Sequence, residues 1–156
     1  MRRIFFGLAS HGAALAVGFV LGIYLLPILT APKSPPPEVI AEMAQAAKFS
    51  GEFTRDLRGS DFLHWGEGTI SITNDMIVHA GKLSPGPDYK LYLVDGFVEH
   101  EDEFTPVKHQ AQYIGDVKSF KGFALSLPDG VNVGDYDTVV IWCEAFSEFI
   151  TAAKYQ

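Results

Sequence analysis

Cysteine is almost missing from this chain. Cys143 is the only one in 156 residues, so no internal disulfide can form and the fold must stand on its core alone. A lone cysteine also rules out C-x-x-C-H, the attachment signature of covalent c-type haem. Positive charge is scarce. The net charge is −7, and every acidic residue lies after Ala31, where ten basic residues face 19 acidic ones. A domain carrying −9 repels phosphate backbones, which excludes nucleic acid as a partner. No basic run, phosphate-cradling glycine motif or metal-type Cys/His spacing is present. Ser, His and Asp occur, but without a G-x-S-x-G elbow, so nothing marks a hydrolase. Internal repeats are absent, as is the strand–helix alternation that would build a parallel sheet.

Apolar residues, in contrast, are plentiful: 47% are hydrophobic and 13% aromatic, enough for a real core. Much of this sits at the start. Arg2 and Arg3 precede a stretch, 4–30, without formal charge apart from His11. Gly12 to Leu29 gives 18 consecutive residues of Gly, Ala, Val, Leu, Ile, Phe, Tyr and one Pro. A membrane-spanning helix needs ~20 mostly apolar residues. Residues 1–31 therefore read as a signal anchor in the cytoplasmic membrane. The two arginines keep the N-terminus inside and place the rest on the periplasmic or extracellular side. A cleaved signal peptide is the competing reading. Its apolar core is typically ~7–15 residues long, shorter than this one, and no A-x-A site follows here. The run Ala31-Pro32-Lys33-Ser34-Pro35-Pro36-Pro37 is a stiff spacer. Residues 32–48 form this linker and a short helix with Ile40, Met43, Ala44 and Ala47 on one face.

From Phe49 the period changes to two. Gly68, Ile70 and Ile72 alternate with Thr69, Ser71 and Thr73. Asn74-Asp75 marks a turn, and Met76 to His79 reads as the returning strand. Ser84-Pro85-Gly86-Pro87-Asp88 launches a strand with Tyr89, Leu91 and Leu93 on one face. Gly96 to Lys108 is an acidic excursion, predicted to be a solvated loop. Tyr113-Ile114-Gly115 leads into the strand Gly122 to Leu127, which Pro128-Asp129-Gly130 closes with a turn. Short strands separated by turn signals predict an all-β domain over 49–156, an antiparallel sandwich or barrel-like sandwich behind the N-terminal transmembrane helix.

The chain is organised around Asp137 to Phe149, DTVVIWCEAFSEF. Val139 to Trp142 is a β-branched and aromatic run and reads as a buried strand. Period two sets Val139, Ile141 and Cys143 on one face and Val140, Trp142 and Glu144 on the other. Phe146 and Phe149 are expected to close the core.

The order of motifs resembles a known family. Phe62, His64 and Gly68 give an aromatic-His-x-x-x-Gly segment. Gly86-Pro87-Asp88 precedes an aromatic-rich strand with Tyr92 and Leu93. Gly115, Val117 and Lys118 come next, then Gly122 before a strand ending in Leu127-Pro128. Last is Tyr136, Val139, Ile141, Trp142, Cys143 and Phe146 in a Tyr-x-x-Val-x-Ile-Trp-Cys-x-x-Phe pattern. This series looks like the DM-thirteen, or "electron transfer DM", domain over about Phe49 to Ala153. The resemblance implies a β-sandwich outside the cytoplasm. It also implies a redox role centred on Cys143, as a thiol or as a ligand of a group such as haem, with a redox partner protein.

Each residue has a plainer reading as well. Cys143 is either a small packed hydrophobe or a working sulfur exposed to an oxidising compartment. As a thiol it needs a nearby cation, for which Lys118, Lys121 and His64 are candidates; as a ligand of haem or copper it needs a partner imidazole. His64 is the candidate partner, and His79 a weaker one. His100 and His109, with Glu101, Asp102 and Glu103, offer donors for a divalent cation but in no metal-type spacing, so no metal site is assigned there. Two functions stay open: a tethered redox domain, or a non-catalytic binding module in which Cys143 only packs.

Overall fold

The computed structural model describes residues 2–156. A 29-residue helix α1 (Arg2–Thr30) leads the chain, and by length and composition it could cross a membrane. None of its side chains is buried. Pro27 removes one backbone donor inside the helix, and the Thr30 hydroxyl donates to the Leu26 carbonyl at 2.8 Å in the same last turns. The proline spacer then delivers α2 (Pro37–Ala44), with Pro37 at its first position, where a missing N–H costs nothing. Ile40 is its buried residue and packs down on Gly122.

Eight strands follow: β1 (Phe49–Phe53), β2 (Gly66–Ile72), β3 (Met76–Leu83), β4 (Tyr89–Val94), β5 (Gln112–Val117), β6 (Phe123–Ser126), β7 (Thr138–Cys143) and β8 (Glu148–Lys154). They form two antiparallel four-stranded sheets, in the orders β1-β2-β3-β6 and β5-β4-β7-β8. The predicted sandwich is thus present, and it does not close into a barrel. Ile70, Ile72 and Ile77 of the first sheet meet Leu91, Leu93, Val139, Ile141 and Cys143 of the second in one core.

Three elements differ from the sequence reading. The acidic excursion is not a solvated loop but carries a helix, α3 (Glu101–Val107). His100 caps it, with Nδ1 accepting from the Asp102 N–H, and three acidic residues occupy its first turn, where the helix dipole favours them. Arg58 binds Asp102 and Glu103 and ties the β1–β2 loop to this helix. Phe104 of α3 is fully buried against Trp142, Phe149 and Val140, so the second sheet is covered on both faces. That explains why β7 is an unbroken apolar run. The tail, left unassigned by the periodicity, is strand β8, paired along β7. And Phe146 does not close the core: it is half-exposed in the β7–β8 turn, where Ser147 takes a positive φ of 55°, while Phe149 is fully buried.

Candidate functional site

Cys143 ends β7 beside Tyr89, its registered neighbour at the start of β4. Three loops meet at this end of the sandwich: the β1–β2 loop with Phe62, Leu63 and His64, the β3–β4 turn with Pro85, Gly86 and Pro87, and the β7–β8 turn with Phe146. With Val20, Leu21, Ile23 and Tyr24 of α1 they enclose a cavity of about 470 Å³. Cys143 and His64 both line it, so the structure brings the two residues singled out in the sequence to one apolar space. A larger hollow, of about 760 Å³, lies under the proline spacer but has no Cys, His, Asp or Glu in its wall.

The β3–β4 turn shapes this cavity through Gly86. A Cβ there would stand 2.3 Å from the Tyr89 ring, so only glycine lets that ring lie against the turn. In the sequence, Gly86-Pro87-Asp88 reads as a structural turn rather than a site. Gly86 and Pro87 are in fact cavity wall.

His64 is held from one side. Asp61 Oδ1 accepts from the backbone N–H groups of Leu63 at 2.6 Å and His64 at 2.7 Å, and Oδ2 faces His64 Nδ1 at 3.1 Å. Burial works against the charged carboxyl, but these hydrogen bonds hold Asp61 below the usual range. A carboxylate accepting from Nδ1–H fixes the ring and leaves the Nε2 lone pair free to ligate, the arrangement that supports ligating histidines. The Asp-x-x-His spacing was visible in the sequence, though nothing there distinguished it from other acid–histidine pairs.

Cys143 is 2% exposed. Burial pushes its thiol up, against hydrogen bonding from the backbone of Phe146, Asp88 and Ala145. The sulfur is therefore a neutral thiol at pH 7 rather than a ready nucleophile. Neither proposed lysine lies at the cavity: Lys118 pairs with Asp116 at 3.6 Å, and Lys121 lines the hollow under the spacer. Trp142 points to the opposite face, under α3, with its ring centroid 5.0 Å from that of Phe104.

The remaining histidines have other partners. His100 faces Glu101 at 3.1 Å and Asp102 at 2.9 Å while capping α3. Among the described residues no three His, Cys, Asp or Glu side chains are grouped to hold a metal ion. His79 is fully buried between Phe53 and Phe123, its Nε2 3.1 Å from the Glu67 carbonyl oxygen. Burial lowers its pKa to about 4, opposed by the Glu67 carbonyl and by Glu52. The unfolded chain then binds the extra proton below ~6.5 while the folded chain refuses it down to about 4. Stability attributable to His79 is full above pH 6.5 and drains as pH falls to about 4, by roughly 3 kcal/mol. His79→Gln is expected to flatten the thermal midpoint across that window; an unchanged slope would assign the acid sensitivity elsewhere.

Comparison with known families finds one match. The model of the family described as "Electron transfer DM13" matches residues 52–155. No curated protein and no solved structure matches the chain significantly.

Proposed function

Because the chain belongs to the electron transfer DM13 family, we propose that it is a membrane-tethered electron-transfer domain on the outer side of the cytoplasmic membrane, with Cys143 and His64 at its redox centre. The observation that carries this reading is the shared cavity. A soft sulfur and an imidazole fixed through Nδ1 line one apolar space, and the third wall is the candidate anchor helix. α1 serves as the tether, consistent with its length and apolar composition.

The donor set can be matched to cofactor chemistry. A blue-copper centre takes two imidazoles and a thiolate, and here one histidine is missing from that set. A haem asks for one or two protein ligands within apolar walls; Cys143 and His64 would hold it, with Tyr89 and Phe146 part of the walls. Such a group would contribute a one-electron couple. The chain would contribute the rest. Cys143 would give up its proton on ligation, a loss the surrounding backbone hydrogen bonds favour. Asp61 would hold the His64 tautomer, and the aromatic walls would exclude water.

The competing reading, a binding module with a packed cysteine, is favoured by the near-complete burial of Cys143. The two separate on the full chain isolated from membranes. Visible spectrum, metal content and redox titration are recorded before and after addition of ferric haem. A reducible absorption band that disappears in Cys143→Ser supports the redox centre. Colourless, metal-free protein that gains no band with added haem, and whose thiol is alkylated only after unfolding, overturns it in favour of the packed cysteine.

A further inference from the structure

We propose that the mouth of the Cys143 cavity is a membrane-docking surface: the loops bearing Phe62, Leu63 and Phe146 seat in the outer leaflet beside α1, so that the cavity opens toward lipid. This rests on α1 being a retained anchor, as read above.

The first observation is where the exposed apolar side chains lie. Beyond α1, five large hydrophobics are exposed among the described residues, and three of them are Phe62, Leu63 and Phe146. Phe62 is 90% exposed. These three come from two loops far apart in sequence and converge on one rim. Clustered exposed apolar residues mark an interaction surface, whereas scattered ones do not.

The second observation is depth. Helix α1 forms the facing wall of the same cavity at Val20, Leu21, Ile23 and Tyr24. With Arg3 at the inner boundary, the helix from Arg3 to Tyr24 rises ~31 Å, close to the ~30 Å of the hydrocarbon core. Tyr24 thus falls at the outer boundary, where tyrosine anchors membrane helices. The cavity rim lies at that same level. The connection is short and stiff: six residues, half of them proline, separate α1 from α2. As a polyproline II segment this spacer reaches only ~19 Å, which keeps the domain close to the surface.

Charge sets the character of the contact. A domain of net charge −9 is repelled by anionic lipid, so docking must be apolar and nearly independent of salt.

The test uses the full chain in phosphatidylcholine nanodiscs. A nitroxide is attached through Phe62→Cys or, separately, Phe146→Cys, each in a Cys143→Ser background. Asp129→Cys is the reference. It follows β6, whose Ser126 pairs with Met76 at the end of β3 away from the cavity. Accessibility to oxygen and to a water-soluble nickel chelate is compared. Labels at 62 and 146 are expected to favour oxygen several-fold more than the label at 129, with and without anionic lipid. Labels at 62 and 146 as accessible to nickel as that at 129, on chain that co-elutes with the discs, overturn the docking surface while leaving the anchor intact. Chain that does not co-elute with discs overturns the anchor, and the docking with it. Because the two labels sit on separate loops, a variant that fails to fold leaves the other to decide.

Discussion

Cys143→Ser is expected to remove the redox signal of the intact chain while leaving the fold standing. Serine has nearly the shape of cysteine, so the inter-sheet packing around β7 survives. What changes is the donor atom. A hard hydroxyl does not replace a soft thiolate toward iron or copper. The stability cost is that of burying a hydroxyl, ~1–3 kcal/mol at most, and the same backbone hydrogen bonds that face the sulfur reduce it. Asp61→Asn is expected to act on the same signal by degrees, weakening binding of added haem by ~10–100-fold through loss of the His64 tautomer. The measurements are a haem titration followed by absorbance and a thermal melt on the same samples. Unchanged binding in Cys143→Ser would reduce the cysteine to packing.

Trp142→Ala is the counterpart, with a large effect on stability. Trp142 is fully buried under α3 between Phe104 and the sheet. Deleting it opens a cavity on the outer face of β7 and removes the surface on which α3 rests. The expected loss is ~3–5 kcal/mol, a fall in melting midpoint on the order of 15 °C. The indole N–H has no hydrogen-bond partner, so Trp142→Phe gives up less and is expected to recover most of the loss. Neither change touches the cavity on the inner face. Trp142→Phe is therefore expected to leave the response to added haem at the level of the native chain. Loss of the signal in Trp142→Phe would show that the two faces of β7 are coupled.

Local rules made most of the sandwich legible. Alternation at Gly68–Ile72 and Tyr89–Leu93, and the turns at Asn74-Asp75 and Pro128-Asp129-Gly130, follow from residues that are neighbours in the chain. They failed where an element depends on distant partners. β8 reads as a continuous apolar tail because both of its faces are covered, one by the inter-sheet core and one by the layer under α3. α3 reads as a charged loop because Phe104 is its one buried residue, and two of its acids, Asp102 and Glu103, are paired by Arg58 from another loop.

By itself, the amino-acid order determined the long apolar N-terminal segment, the two-residue period of the strands and the opposite facing of Trp142 and Cys143. Each of these depends on interactions within a few residues or on a solvent preference that acts along the chain. The tertiary structure alone decided that Cys143 and His64 share a cavity, that Asp61 faces the His64 imidazole, and that Phe146 turns outward onto a rim facing α1. These depend on how two sheets, three loops and a helix meet, and no short stretch of sequence encodes a distance between residues that only packing brings together.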